Sequence, residues 1–282
     1  MIVLTILSGI GLLWLFKVFV FDHFKARWEQ YKANKALLAT VTKPYRGTRS
    51  ERRLVLRLLL NDFSSKALYH DLYLELSQGR YSQLDIVLAT RVGVVVFEVK
   101  EMSGWIFGSG HDQQWTQILA YGRRRYRFYN PVLQNQKHIQ DLRSQLPQFA
   151  KLPFYSVLVF DGSCELKKLH NIPSDVYLAR PREVTDILVT LFKNNPPAEY
   201  ADKEEVIRLL QTAVQNGENR EIRHLHIQNV RQFMASRDRD RLPQWRESSP
   251  WRLGSFGWLK RPNAKGPGTP KLRTSNNRFG KR

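Results

Sequence analysis

A single cysteine, Cys164, serves a chain of 282 residues. That shortage excludes an internal disulfide framework and any zinc centre built on cysteine ligands, and it fits a reducing compartment. No glycine-rich phosphate loop occurs, so nothing points to ATP. Ser163, Cys164 and His170 have no motif around them that would make a nucleophile arrangement. There are no internal repeats. Acidic residues are scarce at both ends: 2 against 8 Lys and Arg in residues 1–50, and 3 against 13 in residues 237–282. Residues 51–236 hold 20 against 24. The net charge of +20 therefore belongs to two basic flanks on a nearly neutral body. Such flanks suit phospholipid or nucleic-acid backbone.

Charge is also missing from Ile2 to Phe21, where Lys17 is the sole ionisable side chain. As a helix this stretch is roughly 30 Å long, the thickness of a hydrocarbon core. Apolar residues occupy every face, no basic segment precedes them, and no small-x-small cleavage site follows, which argues against a buried core helix or a signal peptide. The expectation is a transmembrane anchor over 1–24 and a juxtamembrane helix or linker over 25–44. Lys25, Arg27, Lys32 and Lys35 follow the apolar run, so the positive-inside rule sets the remainder in the cytoplasm of a bacterial-type inner membrane, single-pass. From Ser236 the chain turns to Arg, Pro, Gly, Ser and Asn without apolar periodicity, which predicts a disordered basic tail over 236–282. Trp245, Trp251, Phe256 and Trp258 interrupt it; they suit stacking on bases, a membrane interface, or docking on the body.

Between the flanks, the pattern alternates helices and strands. A helix is predicted from Ser50 to about Leu60, and a strand over Ala67–Leu76. Gln83–Ala89 and Val94–Lys100 read as two strands joined by a tight turn. Gly104–Gly108, a short strand starting at Trp115, and Arg123–Tyr129 come next. Asn130-Pro131 caps a helix running to about Gln145. A strand at Tyr155–Phe160 and a helix at Pro181–Phe192 complete an α/β domain over 45–195. Helices at Asp202–Gln215 and Asn219–Ala235 form a helical extension over 196–235. His224 and His226 do not share a helical face and are expected to be ordinary surface histidines.

The hairpin carries the chemistry. Glu98 and Lys100 interrupt a Val/Phe run of the kind that is buried on both sides, and they share one sheet face. Ionised groups there are costly unless paired or metal-bound. A turn centred between Arg91 and Val92 sets Asp85 opposite Glu98; one centred between Val92 and Gly93 sets it opposite Lys100. Either way the three converge, with cross-strand neighbours about 4.5–5.5 Å apart. Two carboxylates so placed suit Mg²⁺ or Mn²⁺, and a lysine beside them can orient a water or stabilise charge on a phosphate. A structural ion pair, with Asp85 a solvated strand end, is the alternative. Arg123, Arg124 and Arg125, with Arg127, read equally as a phosphate-contacting patch or as a charged edge strand.

Residues Gly47 to about Leu142 resemble the nuclease-related domain (NERD) family of the PD-(D/E)xK restriction-endonuclease-like superfamily. The matching pieces, in order, are Arg49-Ser50-Glu51, Gln83-Leu84-Asp85, Phe97-Glu98-Val99-Lys100, Gly104-Trp105-Ile106, Trp115, and Asn130-Pro131-Val132-Leu133-Gln134-Asn135 with His138 and Leu142. Departures are Ser50 in place of the family's glycine and Ile86 in place of its usual basic or aromatic residue. The resemblance implies a restriction-endonuclease-like mixed sheet flanked by helices. It implies Asp85 and Glu98 as metal ligands, Lys100 as the catalytic lysine, Glu51 as a supporting acid, and Gln134 as a site-facing residue. The expected activity is Mg²⁺-dependent (or Mn²⁺-dependent) phosphodiester hydrolysis in DNA, or in RNA. The alternative is a non-catalytic, membrane-bound scaffold that binds nucleic acid or anionic lipid.

Overall fold

The computed structural model describes residues 2–77, 79–119 and 122–239; the side chains of 2–16, 18–20 and 233–239 lie outside that description. The tail expected over 236–282 falls almost wholly outside the described residues, as do the side chains of the expected apolar anchor. Helix α1 (Ile2–Ala39) runs unbroken past residue 24. Among the described residues, no helix is long and apolar enough to cross a membrane.

The body is a mixed α/β fold with two mixed sheets rather than the single sheet expected. The first has the order β1-β2-β3-β7-β9. β1 (Leu68–Ser77), β2 (Arg80–Thr90) and β3 (Gly93–Glu101) form an antiparallel meander. β7 (Phe154–Asp161) and β9 (Val176–Ala179) run parallel to β3. Side chains of β3 alternate between two cores. Val95, Phe97 and Val99 pack with Leu54, Val55 and Leu58 of α2 (Arg49–Leu60) and with Val184, Leu188 and Leu191 of α4 (Val184–Asn194). Val94 and Val96 pack with Leu142 of α3 (Pro131–Arg143) and with Val206 and Leu210 of α5 (Lys203–Asn216). Helices on both faces are why a continuous apolar run was needed here.

The second sheet has the order β6-β5-β4-β8, from β4 (Gly104–Ser109), β5 (Gln114–Leu119), β6 (Arg124–Tyr129) and β8 (Cys164–His170). Its pivot is Trp115, fully buried and stacked on Phe160 of β7 with ring centroids 6.1 Å apart. The last helix among the described residues, α6 (Arg220–Arg239), lies against β2. There His226 Nδ1 meets the Tyr81 carbonyl at 3.0 Å, and the ring is buried. His226 is therefore a core residue and not the surface histidine that its polar helix led us to expect. Burial holds its pKa below the ordinary imidazole value.

Two helix starts fix the site. Thr48 caps α2 by accepting a hydrogen bond from the Glu51 amide at 3.1 Å, which orients the first turn. Asn130 caps α3 in the same way, accepting from the Val132 amide at 2.9 Å, while its Nδ2 donates to the carbonyls of Ser109, Gly110 and Asp112. One side chain thus anchors the start of α3 to the loop between β4 and β5.

Candidate active site

The β2–β3 ladder pairs Ile86 with Phe97 and Thr90 with Gly93. That is the first of the two registers allowed by the sequence, and Asp85 and Glu98 are the next residues beyond its last pair. Asp85 Oδ2 accepts the Val99 amide at 2.8 Å. Lys100 Nζ lies 2.6 Å from Glu98 Oε1 and donates to Gln134 Oε1 at 2.9 Å. Asp85, Glu98, Lys100 and Gln134 are thereby brought together. Glu98 is buried, while Asp85 and Lys100 sit at the partly exposed margin of the group.

A break in strand alternation delivers Asp85 to that position. The β1–β2 ladder runs from Leu68↔Leu88 to His70↔Ile86 and resumes at Leu72↔Leu84, skipping Asp71 and Asp85. Tyr69 and Leu72 lie three apart yet enter the same core, as do Leu84 and Val87. Strict period-two alternation would separate each pair. Asp71 makes the switch with a left-handed φ of 55°, which costs a non-glycine residue about 1–2 kcal/mol. Its carboxylate is fixed by Arg46 Nε at 2.7 Å, Gln83 Nε2 at 2.9 Å and the Gly47 amide at 3.3 Å. Gln83, two residues before Asp85, thus holds the distortion in place.

Glu51 stands apart from the other four by its bonding. Its Oε2 meets His70 Nε2 at 3.1 Å, and His70 Nδ1 meets Thr42 Oγ1 at 2.7 Å. The carboxylate still acts on the cluster through space. Burial first, then Glu98 and Glu51, push the Asp85 pKa well above the ordinary aspartate range, against the pull of Lys100. Burial also disfavours the Lys100 ammonium, but Glu98 and Asp85 outweigh it and raise the lysine pKa. Glu98 moves the other way: burial pushes it up, and Lys100 and His138 more than reverse that. The two carboxylates thus favour the ammonium form of Lys100.

His138 and Ser82 are additions that the sequence reading left out of the site. His138 Nε2 lies 3.5 Å from Glu98 Oε2, neither atom has a hydrogen-bond partner, and His138 Nδ1 meets Ser82 Oγ at 3.0 Å. A signal existed: Gln134 and His138 are four apart on α3, so a site-facing Gln134 turns His138 the same way. Beyond Lys100, Ser50 donates to Glu101 at 2.6 Å and Arg53 pairs with Asp161. Arg123, Arg124 and Arg125 are exposed at the start of edge strand β6, and no hydrogen bond or ion pair joins them to the four clustered residues. A cavity lined by Asn61, Phe63, Thr90, Arg91 and Phe192 lies by the β2–β3 turn, at the other end of β3, and holds none of these groups.

The model of the nuclease-related domain family matches residues 46–161, the stretch that supplies Glu51, Asp85, Glu98, Lys100 and Gln134. The family resemblance read from the motifs is shown over those residues. The chain is also similar to an uncharacterised protein of Bacillus anthracis, 34% identical over 119 residues, covering 42% of this chain and 54% of the relative. The chain thus spans about half the length of that curated relative. No solved structure matches.

Proposed function

We propose that the chain is a divalent-cation-dependent hydrolase of phosphodiester bonds in nucleic acid, DNA ahead of RNA, on a restriction-endonuclease-like core. The observation that carries this reading is the buried Glu98 Oε2, left without a hydrogen bond beside a second carboxylate that burial, then Glu98 and Glu51, press toward protonation. A cation at Asp85 and Glu98 would relieve both costs. Among the described residues no three His, Cys, Asp or Glu side chains form a metal-holding group. Two carboxylates nevertheless fit Mg²⁺ or Mn²⁺, which keep several waters and take phosphate oxygens as further ligands. Such an ion would polarise a phosphoryl oxygen and lower the pKa of a bound water.

The chain's own groups divide the remaining work. Lys100, held cationic, places an N–H donor and a positive charge where charge develops on the phosphate. Gln134 fixes the lysine's direction through its amide oxygen. His138, whose Nδ1 meets Ser82 Oγ, turns its Nε2 edge toward Glu98. Glu51 adds negative potential from the start of α2. Arg123, Arg124 and Arg125 suit salt-sensitive contacts with the polymer backbone away from the reacting bond. The apolar stretch Ile2–Phe21 supports attachment to a bacterial-type inner membrane with the body in the cytoplasm.

The test uses the full chain in detergent, labelled DNA and RNA, and Mg²⁺, Mn²⁺ or chelator. Cleavage that needs metal, and that disappears in Lys100→Met and Glu98→Gln while far-UV circular dichroism is unchanged, supports the reading. A second reading, a non-catalytic scaffold binding nucleic acid or anionic lipid, is favoured by one observation: Lys100 and Glu98 already neutralise each other at 2.6 Å. Tight nucleic-acid binding with no cleavage under any metal selects it.

A further inference from the structure

Helix α1 presents four large aromatic side chains to solvent. Phe21 is 66% exposed, Phe24 68%, Trp28 53% and Tyr31 56%. Their spacings of three, four and three place them on one narrow stripe. Trp28 and Tyr31 stack on each other along it, with centroids 5.6 Å apart. Nothing in the body needs this stripe: α1 meets the core further on, through Leu37 and Leu38. An exposed contiguous aromatic strip marks an interaction surface.

The flanking charges identify the occupant. On a helical projection Lys25 and Lys32 border the stripe on one side and Arg27 on the other, while Lys35 continues it. Asp22 projects well away from it, and Glu29 lies beyond Lys32 and pairs with that lysine at 2.8 Å. The aromatic spacing is also that of a coiled-coil seam, which would invite a second copy of this helix. In that pairing the bordering positions would face one another, and they hold Lys25, Arg27 and Lys32 with no acid among them. Cation would meet cation in parallel and antiparallel arrangements alike. An anionic lipid surface reverses the sign: aromatic rings settle at the headgroup level and each flanking base is attracted.

One-sidedness adds a second constraint. A helix crossing the bilayer upright passes through the interface over its whole circumference, so rings would be spread around it. A stripe on one side requires the bilayer to lie along that side. We propose that residues 21–35 of α1 form an interfacial helix lying along an anionic phospholipid surface, aromatic stripe downward. The proposal deepens the membrane reading, as attachment along the surface by the unbroken α1 and not as a crossing, and is independent of the hydrolase reading.

Spin labels on single introduced cysteines test it in the full chain. Phe24→Cys, Tyr31→Cys and Glu29→Cys are labelled; Cys164, 2% exposed, serves as the unlabelled background, with the unmutated chain as blank. The probe is a vesicle of phosphatidylglycerol mixed with phosphatidylcholine, compared with phosphatidylcholine alone. Labels at 24 and 31 are expected at equal depth and shielded from an aqueous nickel chelate, with the label at 29 in water. Partitioning should favour anionic vesicles by more than about ten-fold, since each surface base contributes roughly a five-fold gain. Depth decreasing steadily from 24 through 29 to 31 means an upright helix and overturns the proposal. Dipolar broadening between labels on two chains means a helix pair, and water at all three positions means no lipid contact; either overturns it. Carbonate extraction of the same samples reports separately on the apolar run, so failure there is distinguishable from failure of the stripe.

Discussion

The two sheets carry charge in opposite ways. In the five-stranded sheet Glu98 and Lys100 sit on the central strand, with Asp85 on the strand beside it, and packing keeps most of their surface from water. In the four-stranded sheet Arg124, Arg125 and Arg127 project from edge strand β6, and Glu165, Lys167 and Lys168 from edge strand β8. Charges on those edges cost little and discourage pairing with other chains. Charges within the first sheet are expensive, and only a ligand or a partner justifies them. Location, rather than number, separates a candidate site from a solvated face.

That contrast can be broken or sharpened by substitution. The largest expected effect is on Arg46, buried with Asp71 at 2.7 Å. Arg46→Ala leaves the buried Asp71 without its ion-pair partner, and chemical denaturation should show a loss of about 3–5 kcal/mol. A loss below 1 kcal/mol would mean that the bend in β1 does not need its clamp. Next comes Lys100→Met, which should slow cleavage by about 10²–10³-fold. Replacing Arg123, Arg124 and Arg125 together should leave single-turnover cleavage at saturating DNA nearly unchanged and lower the salt slope of binding by about three. Equal loss of rate in both variants would dissolve the distinction between the sheets.

Acidity gives a third test. The Asp85 pKa is raised in the folded chain, so the fold binds this proton more tightly than the unfolded chain does. Its contribution to stability is complete below the ordinary aspartate value and is lost as pH rises through the elevated one. Asp85→Asn should therefore melt higher than the parent at neutral pH without metal, and the gap should close on acidification below pH about 4. A gap that widens in acid would reverse the assigned direction. The smallest effect belongs to the exposed Lys167–Glu165 pair of β8, where Lys167→Ala should cost no more than about 1 kcal/mol.

Much of this was legible in the residues. The start of α2, the hairpin, the cap of α3 and the meeting of Asp85, Glu98 and Lys100 follow from side-chain spacing and the Asn130 cap. The division into two sheets does not. β8 reads Cys-Glu-Leu-Lys-Lys-Leu-His, too polar to announce a strand, and β9 has only four residues. His70 escaped because its contact with Glu51 joins elements distant in sequence, and His138 because its spacing of four from Gln134 is its one mark in the sequence. The Asp71 switch left a faint trace, a polar pair, His70-Asp71, inside an apolar strand. Its φ angle had no sequence signature, since Asp71 is not a glycine.

Gly47 shows how far the clamp reaches. With φ at 56°, a methyl group on it would come within 2.1 Å of His70 Nε2 and 2.4 Å of Glu51 Oε2. One added carbon would wedge apart the imidazole and the acid it restrains, moving the Glu51 carboxylate out of line while every charged residue stayed intact. The candidate site can be disturbed from a residue with no side chain at all.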